Sequence, residues 1–128
     1  MLTRRLAAAA FGAAILAVVA TASAEADVSS HRTTFVTFPQ SVALPGIELS
    51  AGTYIFELAA PNEYKNMVRV LSRDRRHVYL TQFTLMVSRP AKLDPAHGIS
   101  FHEALRGTPP SVSTWFPEHE TTGRQFIY

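Results

Sequence analysis

The chain has 128 residues and no cysteine, with 12 basic against 10 acidic side chains and 47% hydrophobic residues. That length holds one domain with a single core, excludes a disulfide framework, and leaves too little net charge to draw the chain to nucleic acid. The small positive excess is itself local, because it comes from Arg4 and Arg5 at the N-terminus.

Those two arginines precede an uncharged apolar run from Leu6 to Ala20, and Ala22-Ser23-Ala24 supplies the small-x-small pattern that precedes signal cleavage. Residues 1–24 are therefore expected to form a signal helix, with Ala22 and Ala24 as the cleavage determinants. The 15-residue run falls short of the about 20 residues that span a bilayer, so no stable membrane anchor is expected after cleavage. Thr3-Arg4-Arg5-Leu6 raises twin-arginine export, but Ala7 and Ala8 follow where a bulky apolar residue would strengthen it, and the unfolded-chain route fits better. With no cysteine there is no lipid attachment, so the expected compartment is periplasmic or secreted. Removing both arginines leaves ten basic against ten acidic residues.

Residues 25–32 form a short polar lead-in, and residues 33–128 the single domain. Thr33–Phe38 is rich in β-branched and aromatic residues and ends at Pro39. Val42–Leu44 and Ile47–Leu49 flank the turn signal Pro45-Gly46. Thr53–Leu58 is the clearest strand, with Tyr54, Phe56 and Leu58 on one face and Thr53, Ile55 and Glu57 on the other. Pro61–Asn66 is the best place for a short helix. Met67–Ser72 and His77–Val87 form a hairpin around the charged tip Arg73-Asp74-Arg75-Arg76, expected to be simply solvated, since Asp74 dilutes its attraction for an anionic polymer or phospholipid. Period-two alternation puts Val78, Leu80 and Met86 on one face of the second run and Tyr79, Phe83, Leu85 and Val87 on the other. Both faces read as buried, so this strand is expected to be central or to bend from one sheet into another. Ile99–Leu105, Ser111–Phe116 and Gln125–Tyr128 complete the strands. Their number and spacing predict an all-β fold, a single antiparallel β-sandwich of jelly-roll or Ig-like type, or a small barrel.

The segment Val42 to Phe56, with Leu49-Ser50-Ala51-Gly52-Thr53-Tyr54 at its centre, resembles small exported bacterial proteins common in soil bacteria. These share an apolar-x-Ala-Gly-Thr-Tyr turn and a later Trp-Phe segment, matched here by Ser111–Pro117 and Gly123–Phe126. The group has no established activity, so the resemblance implies a β domain and assigns no catalytic or binding residue.

No Gly-x-Ser-x-Gly elbow, phosphate-binding loop or dinucleotide fingerprint occurs, and a cysteine nucleophile is impossible. No cofactor and no enzymatic activity are expected. The ligand-type side chains concentrate at His97, His102 and His119, with Glu103, Glu118 and Glu120, but lack a recognised metal spacing. A metal-assisted hydrolase is therefore a distant third reading. Flat faces on Trp115, Tyr79 and Tyr54 would suit a small ligand or carbohydrate, and Trp115 has the opposite phase from Phe116, so one of that pair should fill the core. The leading expectation is a cell-envelope or secreted binding or structural module that meets a protein partner, or a second copy, along a strand edge. N-terminal sequencing of the exported product is expected to start at Glu25; an intact Met1 start would reject the cleavage reading.

Overall fold

The computed structural model describes residues 23–24, 32–93 and 98–128. Among them are eleven strands and no helix: β1 (Ser23–Ala24), β2 (Thr34–Phe38), β3 (Val42–Leu44), β4 (Ile47–Leu49), β5 (Gly52–Ala60), β6 (Tyr64–Ser72), β7 (Val78–Phe83), β8 (Leu85–Ser88), β9 (Ile99–Phe101), β10 (Val112–Trp115) and β11 (Thr122–Gln125). The expected signal helix lies outside the described residues; of residues 1–24 only β1 is described, paired with β2 through Ser23↔Phe35 and Ala24↔Thr34.

The strands form a five-stranded sheet in the order β1-β2-β5-β6-β7, a four-stranded sheet β8-β11-β10-β9, and the hairpin β3-β4. Every strand pairing is antiparallel, and neither sheet closes into a barrel, which removes the barrel alternative. The hairpin turns on Pro45 and Gly46, whose φ of 73° is the conformation glycine adopts without strain at the third position of a type II turn. It is fastened to the smaller sheet where Ala43 N–H donates to Pro110 O at 2.8 Å.

Both sheets contribute to one core. Val36, Phe38, Tyr54, Phe56, Leu58, Val68 and Val70 come from the larger sheet, and Ile99, Val112, Trp115 and Phe126 from the other side. Phe56 touches Trp115 and Phe126 across the layers with ring centroids 6.3 Å apart in each case, so alternation along β5 is what aims the sheet at its partner. Fully burying each such side chain contributes roughly 1.5–3 kcal/mol.

Four local expectations are corrected. The suggested helix over Pro61–Asn66 is a turn at Pro61–Glu63 followed by the start of β6, because Ala60 and Tyr64 already pair across the hairpin. Ile99–Leu105 stops at Phe101, leaving Leu105 outside the strand and exposed. The last strand lies at Thr122–Gln125, earlier than the expected Gln125–Tyr128. The long run after the charged tip does bend from one sheet into the other, at Thr84, but it is not central: β7 and β8 are each the outer strand of their sheet.

On β11, Gly123 lies beneath the ring of Phe116, and any Cβ there would collide with that ring and with Thr114 Cγ2. Arg89 closes the other side, its guanidinium 5.5 Å from the Phe116 centroid. Gly123→Ala is therefore expected to lower stability by about 1–3 kcal/mol through forced displacement of Phe116. A urea titration following Trp115 fluorescence measures this; an unchanged midpoint would contradict the packing argument.

Candidate functional site

The aromatic side chains expected to offer stacking faces lie mostly inside. Trp115 is fully buried and Tyr54 nearly so, with its hydroxyl donating to Ser50 O at 2.7 Å. Tyr79 is half-buried and packs edge-on against Tyr54, centroids 5.6 Å apart. Neither Trp115 nor Tyr54 presents a ring face to solvent, because both fill the space between the sheets. Phe116, the residue after β10, is buried as well, at 5% exposed, packed on Gly123 and beneath the Arg89 guanidinium, so neither member of the pair stands outward.

Of the histidines singled out in the sequence, two lie among the described residues, in different surroundings. His97 lies outside the described residues; His102 is exposed and packs edge-on against Tyr128 at 5.5 Å; His119 is exposed beside Glu118, Nε2 to Oε1 3.7 Å. Among the described residues no group of three or more His, Asp or Glu side chains is placed to hold a metal ion. Tyr128 folds back on the domain, donating its hydroxyl to Val112 O at 2.5 Å, and burial pushes its pKa up to about 12. Ala22 is outside the described residues, and Ala24 ends β1. A shallow groove of about 250 Å³ runs between Gln40-Ser41 and Gly107–Pro110, without a titratable side chain in its lining.

Sequence reasoning missed two charged clusters. Glu57 is 1% exposed on the outer face of β5. It accepts hydrogen bonds from Arg69 Nη2 at 2.5 Å, Arg75 Nη2 at 3.0 Å and Thr33 Oγ1 at 3.1 Å. Arg75 thus leaves the charged tip to fold onto the sheet, so that tip is not simply solvated. The second cluster joins Glu120 to Arg32 and to Arg124, whose Nη1 is 2.5 Å from Oε1. Arg124 is 2% exposed and its Nε donates to Lys65 O on the other sheet at 3.0 Å. Burial pushes both carboxyls up, but hydrogen bonds from the arginines and then their charges outweigh it, leaving Glu57 and Glu120 below their ordinary value of 4.5.

The surface feature that stands apart is the bent strand Val78–Ser88. It contains no charged residue. Val78 (56% exposed), Phe83 (47%), Leu85 (54%) and Met86 (45%) all face solvent. Tyr64 extends the patch by packing edge-on against Phe83 at 5.1 Å. The alternation in the sequence suggested burial on both faces; the edge position of β7 and β8 overturns that, since an outer strand lacks a neighbour to cover its flank. The bend is pinned at Thr84, whose N–H and Oγ1 donate to Asn66 O at 2.8 and 2.7 Å, while Asn66 Nδ2 donates to Thr84 O at 3.0 Å. These bonds satisfy the backbone where the strand leaves one sheet for the other, so the apolar edge is held in shape.

Compared with known proteins, the chain matches no family model, no curated protein sequence and no solved structure.

The paired carboxyls make a pH prediction. A depressed folded-state pKa adds stability that is present above the unfolded value near 4.5 and lost as pH falls through the folded value. The urea midpoint is expected to drop on acidification below that range. Glu57→Gln should flatten the acid limb and, by weakening two charge-assisted bonds to a buried group, lower stability at pH 7 by about 1–3 kcal/mol. Parallel acid limbs in the two proteins would contradict the assignment.

Proposed function

We propose that this chain is an exported, non-enzymatic β-sandwich of jelly-roll or Ig-like type, a periplasmic or secreted module that binds a protein partner along the edge of its sheets. Membership in the group of small exported bacterial β proteins is part of the same proposal. The observation that carries it is the uncharged strand Val78–Ser88, with four exposed apolar side chains at the outer edge of both sheets. Edge strands in stable monomers are ordinarily blunted by charge, proline, short length or bulges; this one carries no charge and no proline, and its only interruptions among the described residues are the bulge at Tyr79 and the bend at Thr84. An edge without charge or proline supplies backbone donors and acceptors together with apolar side chains, which is the chemistry of strand addition.

The stacking-ligand alternative loses its support with Trp115 and Tyr54 enclosed in the core. Nothing in the placement of His102 and His119 favours the hydrolase reading.

The absence of cysteine makes a direct test possible, because any introduced thiol is unique. Thr81→Cys on β7 and Glu48→Cys on β4 both replace exposed residues. In the purified chain both thiols are expected to react with maleimide. In the intact envelope or secreted material of the producing bacterium, the β7 thiol should be protected while the β4 thiol stays reactive. Equal reactivity at the two positions in that material would overturn the edge-binding reading.

A further inference from the structure

Resting on that reading, we infer that the partner of the Val78–Ser88 edge is an extended segment of another protein, with an uncharged, apolar-rich centre and acidic residues at its ends.

The strand itself is uncharged over its whole length, but both ends are basic. At the start of β7, the turn carries Arg73, Arg75 and Arg76. Asp74 is the one acid there, and it is engaged within the turn, accepting from Ser72 Oγ at 2.6 Å and from Arg76 N–H at 3.0 Å. Arg75 is committed to Glu57. Arg73 and Arg76 stand exposed. After β8 come Arg89, whose guanidinium lies over Phe116, the exposed Lys92 and one acid, Asp94, so this end carries two basic residues against one acidic.

This arrangement separates the possible occupants. A second copy pairing antiparallel would bring the Arg73–Arg76 end of one strand against the Arg89–Lys92 end of the other, and a copy pairing parallel would align identical basic ends. Either way positive charge meets positive charge at both termini of the ladder, which disfavours self-pairing. A foreign strand with carboxylates at its ends meets the reverse situation: the ladder forms in the middle and opposite charges meet at each end. The centre selects for extended, apolar-rich sequence because Val78, Phe83, Leu85 and Met86 flank the backbone groups that a strand would pair with. An anionic lipid surface would also satisfy the basic ends and the apolar side chains, but it makes no use of backbone donors and acceptors along the edge.

The test uses fluorescein-labelled ten-residue peptides and the processed chain, read by fluorescence anisotropy. One peptide has alternating valine and threonine in the centre with two glutamates at each end; a second carries two lysines at each end; a third is the glutamate peptide with proline at two central positions. The glutamate peptide is expected to bind about tenfold more tightly than the lysine peptide at low salt, consistent with several exposed ion pairs of modest strength. The advantage should shrink in 0.5 M salt, a concentration chosen so that screening cuts such pairs to about 4 Å range. It should shrink likewise in the variant combining Arg73→Gln, Arg76→Gln and Lys92→Gln, three exposed positions whose change leaves the core untouched. The proline peptide should not bind, since it cannot complete the ladder.

Equal binding of glutamate and lysine peptides would overturn the acidic-end inference while leaving edge binding in place. Binding only to phosphatidylglycerol vesicles would overturn it in favour of a membrane, and a concentration-dependent dimer of the purified chain would overturn it in favour of a second copy. Failure of every peptide while the β7 thiol remains protected in the bacterial material would reject an extended partner alone. Loss of that protection as well would instead reject the edge-binding function on which the inference rests.

Discussion

The contact on which the two layers depend is the one that Phe56 makes with Trp115 and Phe126 across the core. No disulfide ties the sheets together, so their association rests on apolar burial and on ring contacts that add about 0.5–1.5 kcal/mol each beyond the area they cover. Phe56 sits in the middle of β5, which is paired on one side with β2 and on the other with β6. A fault there would be felt by both neighbours and by the opposite layer. The same strand turns Ile55 and Glu57 to its other face, where both are buried as well. A carboxylate in that position is tolerable only with its charge answered, and Arg69, Arg75 and Thr33 answer it.

Arg124 performs the complementary task from the other sheet. It shares its face with Trp115, the residue opposite it in the ladder, so a guanidinium enters the region between the layers. Its hydrogen bonds to Lys65 O on one sheet and to Glu120 beyond β11 make a polar tie beside the apolar one. Such a group contributes little net stability when fully paired and costs several times more when one partner is removed. The two clusters therefore fix where strands sit relative to each other more than they raise the total stability. Arg75 adds a further consequence, because its return to Glu57 pulls the charged tip against the sheet and shapes the start of the exposed edge.

Much of the fold was legible because β-branched and aromatic runs alternate with turn residues; Thr34–Phe38, Val42–Leu44 and Ile47–Leu49 lie within or on the expected runs. What alternation alone could not show was the bulges. Between β5 and β6 the pairing passes from Ala60↔Tyr64 to Leu58↔Val68, and the irregularity moves Arg69 opposite Glu57 where an unbroken ladder would have put Met67. Between β6 and β7 the shift at Val70/Leu71 turns Tyr79 and Leu80 both toward the core and frees Val78. In β10 the shift between Val112 and Thr114 lets Val112 and Trp115 share the core although three positions separate them. The first irregularity shifts the register by two residues and the other two by one each, without a glycine or proline to announce them. The candidate site lay beyond reach for the same reason: exposure at Val78, Phe83, Leu85 and Met86 follows from which strands end up outermost, a property of the assembled sheets and not of the segment.

The edges of the two sheets are not equivalent, and the difference bears on solubility. β1 has two residues and β9 three, too short to template another chain. If cleavage removes β1, the newly exposed β2 is five residues long, with Thr34, Val36 and Phe38 buried and Pro39 ending it. β7 and β8 together are longer and uncharged, yet a chain cleaved after Ala24 would have no net charge to keep copies apart. The burden of preventing self-pairing then falls on the basic residues at the two ends of that strand. Charge within the strand would have blocked every partner alike. Placed at the ends, it repels an identical strand while remaining attractive to one of opposite terminal charge, so the same residues can guard the edge and select what binds to it.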